Sequence, residues 1–157
     1  MAFFRSLQES AFTDWFLGSP SIWAYPTVLT LHTVGMAVLV GASFVVNLRI
    51  LQIGSAIPPH RLQPLYRFIW IGFALNLLSG LVLFVTEAAD RVVDPIFYAK
   101  MGSIALALGF GVWIKRVAID PPAGAHATSA HLRSLATASL GLWAIAIVAG
   151  RLMAYFK

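Results

Sequence analysis

The chain has 157 residues, of which 59% are hydrophobic and only 11% charged, and its mean hydropathy is +0.82. Soluble domains carry about a quarter charged residues, so the composition excludes a disordered tail, a nucleic-acid reader and a typical cytosolic enzyme, and the net charge of +5 is better explained by membranes. The length fits one domain, and the absence of cysteine excludes disulfides, thiolate metal sites, iron–sulfur clusters and covalent c-type haem.

In chain order, residues 1–18 read as an amphipathic helix lying in the membrane interface. Phe4, Leu7, Ala11 and Trp15 recur at helical spacing, while Arg5, Gln8, Glu9 and Asp14 interrupt them. Gly18-Ser19-Pro20 then turns the chain. Between Asp14 and Arg49 there is no acidic residue, lysine or arginine, and a first span lies in that gap, at about 21–47. Charge-free runs place further spans at about 67–87, 97–117 and 132–155. A spanning helix needs about 20 mostly apolar residues. The third run reaches that length when Lys100 and Lys115 snorkel towards opposite surfaces. Open sheet edges do not survive in lipid, so the expected fold is all-α: one membrane domain, 1–157, built as an up-down four-transmembrane-helix bundle.

Loop charges give an orientation. Arg49, Arg61 and Arg67 flank the first connection, and Lys115, Arg116 and Arg133 flank the third, against the single acid Asp120. The opposite side holds Glu9, Asp14, Glu87, Asp90 and Asp94, balanced by Arg5, Arg91, Lys100, Arg151 and Lys157. The positive-inside rule then puts both basic loops in the cytoplasm and both termini in the periplasm of a bacterial inner membrane. Trp23, Tyr25, Phe97, Tyr98, Tyr155 and Phe156 form the expected outer aromatic belt. The sequence carries no internal repeat, which leaves an inverted-repeat transporter without support.

Polar groups at membrane depth are costly when unpaired, so each one needs a reason. On the first span Tyr25, His32, Met36, Leu39 and Ser43 share a face, with Gly35 and Asn47 at its edge. On the second, Ile69, Gly72, Asn76, Gly80, Leu83 and Glu87 align, with Ser79 beside them. Lys100, Ser103, Ala107 and Gly111 align on the third, and Ala144, Ile147, Arg151 and Tyr155 on the fourth. These stripes suggest one interior containing His32 and Asn76, closed towards the outside by Glu87, Lys100 and Arg151. Lys100 and Arg151 either snorkel and pair with nearby acids or bind an anion such as a haem propionate. Asn76, Ser79 and Thr33 are expected to hydrogen-bond between helices.

His32 is the only histidine within a span. It either donates a hydrogen bond to a facing helix, or ligates the iron of haem b, or contacts a quinone. His60, His126 and His131 sit in or beside the basic loops and cannot supply a second axial ligand; Met101 and Met153 remain candidates. The candidate cofactor contacts are therefore His32, Lys100, Arg151, Asn76, Tyr25 and Met153, with His32 the one candidate iron ligand. No nucleophile–base pair, P-loop or metalloprotease motif is present, so catalysis by this chain alone is not expected.

The marks Trp23-Ala-Tyr25-Pro26, His32-x-x-Gly35, Gly41, Leu48-Arg49, Gly72-Phe73, Ser79-Gly80, Phe97-x-x-Lys100 and Gly150-Arg151-Leu-Met-Ala154-Tyr155 follow one another in an order that resembles an uncharacterised bacterial family of small four-helix integral membrane proteins. The resemblance covers nearly the whole chain and implies the four-helix fold and the outer polar cluster, but no activity. The family often has an acidic residue where Leu29 stands, aspartate at Asn47, asparagine near Phe110 and histidine near Lys115; this chain departs at each.

The functional expectation is a redox-linked membrane subunit holding haem b or a quinone in the outer half of the bilayer. Its partners are lipid and other membrane subunits or further copies of itself, with no nucleic acid. A non-catalytic assembly subunit and a small-solute or metal permease are the alternatives.

Overall fold

The computed structural model describes residues 1–21, 23–53, 57–121 and 129–155, and among these there is no β-strand. His126 and Phe156, read above into a loop and the aromatic belt, lie outside the described residues.

The described residues form seven α-helices: α1 (Ala2–Gln8), α2 (Ala11–Gly18), α3 (Tyr25–Ile50), α4 (Leu65–Thr86), α5 (Ala88–Arg91), α6 (Pro95–Ile114) and α7 (Ser129–Leu152). A 3₁₀ turn at Pro59–Leu62 precedes α4, and a π turn at Lys115–Ile119 extends α6. The N-terminal segment is two short helices, not the single one expected. Ser10 explains the break: its backbone is extended and its Oγ accepts from Thr13 N, capping α2. Asp94 likewise caps α6, accepting from Ile96 N at 2.8 Å, with Pro95 in the first turn, where a missing N–H costs nothing.

α3, α4, α6 with its π turn, and α7 are each long and apolar enough to cross a membrane. Their outward faces carry exposed Leu31, Val34, Ile71, Leu78, Leu106 and Val148. So much apolar surface is untenable in water and ordinary in lipid. The fold is a four-helix bundle of the multi-pass membrane type.

The bundle is two helical hairpins, α3–α4 and α6–α7, that meet mainly along α3 and α7. α3 and α4 cross with their backbones in contact. A Cβ on Gly35 would lie 2.8 Å from Asn76 N, and one on Gly72 2.6 Å from Leu39 N. Only glycine permits that approach. α4 and α6 stand further apart, joined near their ends. At one end Tyr66 Oη donates to Gly111 O at 3.0 Å; at the other the Phe84 and Phe97 rings stack at 5.5 Å.

The packed core fills the half of the bundle nearer the basic loops, where Leu39, Tyr66, Ile114, Ala136 and Trp143 are buried. Ser139 and Asn47 join α7 to α3 inside it, Asn47 Nδ2 donating to Ser139 Oγ at 3.0 Å. These residues set the rotation of α7. Ala136, Ser139, Trp143, Ala146 and Met153 face inward, whereas Ala144, Ile147, Arg151 and Tyr155 are exposed. The expected inward stripe of the fourth span is therefore wrong: burying Trp143, the largest side chain available, outweighs turning one charge inward.

Candidate functional site: a cavity at the end that carries the termini

The half of the bundle nearer the termini is not filled. Between α3, α4, α6 and the end of α7 lies a cavity of about 430 Å³, within the range of small-ligand sites, about 300–1,000 Å³. Its walls are mainly apolar, including Phe73, Phe84, Phe97 and Ile104. Five of the six residues singled out from sequence line it: Tyr25 and His32 from α3, Asn76 from α4, Lys100 from α6 and Met153 just beyond α7. Arg151 does not; it is exposed on the far face of α7.

His32 is positioned by three residues of α4. Its Nδ1 lies 3.1 Å from Ser79 Oγ. Ser79 has one hydroxyl proton, and it goes to its own helix at Leu75 O, 2.6 Å away. With the hydroxyl proton on its own helix, where Asn76 O also lies 3.2 Å away, the serine is free to accept from Nδ1–H, the tautomer that leaves Nε2 with its lone pair. Asn76 Nδ2 donates to His32 O at 2.8 Å, tying the two helices at that level. Gly80 makes room for the ring, since a Cβ there would lie 3.1 Å from His32 Cε1. Asn76 and Ser79 thus form the interhelical bonds expected of them. Thr33 does not: it is exposed and donates to Leu29 O within α3.

Lys100 enters from the opposite hairpin. Its stem runs alongside Gly150 of α7, where a Cβ would lie 3.5 Å from Lys100 Cε and 3.6 Å from Nζ. Among the described residues the ion pairs at this end join Arg91 to Glu87 and Asp94, and none reaches Lys100. Of the expected outer group, Glu87 and Lys100 line the same cavity, Glu87 being paired with Arg91, and Arg151 lies outside it.

Arg91 is the residue that sequence reasoning missed. It lines the cavity, binds Glu87 Oε2 through Nε at 3.0 Å, and donates through Nη1 to Met153 O at 3.2 Å. It thereby satisfies a carbonyl beyond the C-terminal end of α7. The sequence signal was its spacing, four residues after Glu87 and three before Asp94.

The N-terminal helices cover this end. The Gln8 side chain donates to Asp90 Oδ2 at 3.2 Å and accepts from Ala89 N at 2.8 Å, fastening α1 to α5. Phe4 meets Phe84 edge-on at 6.4 Å, and Phe16 meets Tyr25 at 5.9 Å.

No known family, curated protein or solved structure matches this chain. Among the described residues no three histidine or carboxylate side chains gather around a common point. What the cavity offers is one imidazole, an ammonium donor, an amide, the Arg91–Glu87 ion pair and a mainly apolar enclosure.

Proposed function

We propose that this chain is a redox-linked integral membrane subunit whose cavity holds a quinone. The observation that carries the reading is the pairing of His32, hydrogen-bonded through Nδ1 to Ser79, with Lys100, which has no ion pair among the described residues, both lining one mainly apolar cavity. Such a pair matches a small ring bearing two oxygens, one donating in its reduced form and one accepting. A bound quinone would supply transfer of two electrons and two protons. The chain's own residues bind and orient it: Lys100 donates to one ring oxygen, His32 receives a proton-bearing one, and Phe73, Phe84 and Ile104 exclude water. Tyr25 and Met153 complete the wall. A quinone exchanges electrons with a second redox group, so the reading includes a partner membrane subunit or another copy of the chain.

Haem b is the second reading. Lys100 and Arg91, at the same end of the cavity as the termini, suit propionates, and His32 Nε2 suits iron. The basic loops define the cytoplasmic side in either reading, which puts the cavity in the periplasmic half of a bacterial inner membrane.

One preparation tests both. Protein purified in mild detergent is expected to release a quinone into organic solvent, and the His32→Ala variant is expected to release several-fold less. A Soret band lost in His32→Ala selects haem instead. Neither quinone nor Soret absorbance in protein from native membranes rejects both readings.

A further inference from the structure

The cavity is covered towards the termini, yet α4 and α6 do not close over it from the side. Those two helices are joined at one end by the Phe84–Phe97 stack and at the other by Tyr66 Oη on Gly111 O. Between the two joints the cavity is bordered by Leu77 and Leu81 on α4 and by Met101 on α6, each lining the cavity while exposed outward at 46%, 53% and 40% respectively. These are the side chains that face lipid in a bundle of this type. Behind them lie Gly80, Ile104 and, deeper, His32 and Lys100.

We propose that this gap is a side window through which a tailed amphiphile enters from the membrane leaflet nearer the termini. Its head group sits on Lys100 and His32, and its chain runs out between Leu77, Leu81 and Met101. Three observations converge. The Gln8–Asp90 and Gln8–Ala89 hydrogen bonds and Phe4 on Phe84 hold α1 over the terminal end, and the most exposed large apolar side chains of the lining, Leu77 and Leu81, stand at the flank between α4 and α6. The window's border is wholly apolar, so a chain crossing it leaves no polar group stranded. The polar groups inside include the Lys100 ammonium, which has no ion pair among the described residues and suits an oxygen acceptor, and the His32 imidazole, whose Nε2 suits an O–H or N–H donor; together they select a head group bearing both and leave an apolar tail no better exit. The head groups that satisfy this chemistry are the reduced ring of a quinone and a lipid head group that carries a phosphate beside a hydroxyl or ammonium. The inference rests on the preceding reading only for the choice of a quinone over a lipid.

The test uses the full chain reconstituted in vesicles with a phospholipid that carries a photoreactive diazirine midway along one acyl chain. After irradiation the adducts are mapped by mass spectrometry. Adducts on Ile104 and Phe73, inside the cavity, are expected beside those on outward residues such as Leu78 and Leu106. Leu81→Trp, which narrows the window from the lipid side, is expected to reduce the inner adducts at least fivefold. The outward adducts should stay unchanged and report that the bundle is intact. Inner adducts that disappear when an unlabelled decyl-tailed quinone is added assign the site to quinone. Inner adducts that persist support the window with a lipid occupant and count against the quinone reading. Adducts confined to outward residues, or inner adducts indifferent to Leu81→Trp, overturn the window.

Discussion

At the scale of single residues, the site depends on where one proton sits. Ser79 Oγ lies 2.6 Å from Leu75 O, and a hydroxyl proton placed there favours the Nδ1–H tautomer of His32 with Nε2 available. Ser79→Ala removes the constraint without adding bulk. It is expected to weaken ligand binding about 10–100-fold, the usual range when a residue that orients a functional histidine is lost, as measured by titrating the purified variant with a decyl-tailed quinone. Unchanged affinity would mean that Nε2 is not the contact. Lys100 makes the opposite demand. An ammonium in a mainly apolar cavity, with no ion pair of its own among the described residues because Glu87 is taken by Arg91, destabilises the empty protein, whereas a methionine of similar length does not. Lys100→Met is therefore expected to stabilise the ligand-free bundle by about 1–3 kcal/mol, seen as a higher unfolding midpoint in detergent, while binding is lost. A variant that is both less stable and binding-deficient would show that Lys100 is a structural group.

At the scale of elements, the helices and three of the four inward faces were legible because lipid simplifies the code. A span must be apolar, and its few glycines and polar groups mark where it meets its neighbours. The Gly35–Gly72 crossing follows this rule, and Gly72→Ala is expected to cost about 1–3 kcal/mol by forcing α3 and α4 apart, read as a lowered unfolding midpoint. Gly150→Ala, where the new methyl meets only ordinary contacts, should be neutral. α7 was misread because two stripes competed, one ending in Arg151 and one running through Ser139 and Trp143. A charge looks more informative than a tryptophan in a sequence, but near the end of a span it can simply face outward. Trp143 is 2% exposed, and its Nε1–H has no acceptor among the described residues. Its role is therefore volume. Trp143→Phe is expected to cost much less than Trp143→Ala, which should lose about 3–5 kcal/mol. Equal losses would reveal a partner for the indole N–H. Arg91 was hidden for another reason: a charged residue between two spans is ordinarily solvated, and only folding brings the end of α7 down upon it.

At the scale of the whole molecule, the bundle is divided along its axis. The half nearer Arg49, Arg61, Lys115 and Arg116 is packed around Trp143, and the half nearer the termini is opened by the cavity. The division follows from the pairing of the helices. Glycines clamp α3 to α4, α6 pairs with α7, and the hairpins lean together along α3 and α7, so the remaining space falls between α4 and α6. Which way this asymmetric body sits in a membrane decides from which side the cavity exchanges protons or electrons. The basic residues cluster at the packed end, so that end is expected in the cytoplasm. The absence of cysteine makes the test direct, because any introduced thiol is the only one in the chain. Ser19→Cys lies at the end that carries the termini and Gln63→Cys beside the basic turn before α4; both positions are exposed or partly so. A charged maleimide added to spheroplasts should label Ser19→Cys and leave Gln63→Cys unlabelled until the membrane is broken. The reverse pattern would turn the cavity towards the cytoplasm, and with it the side on which a redox partner must dock.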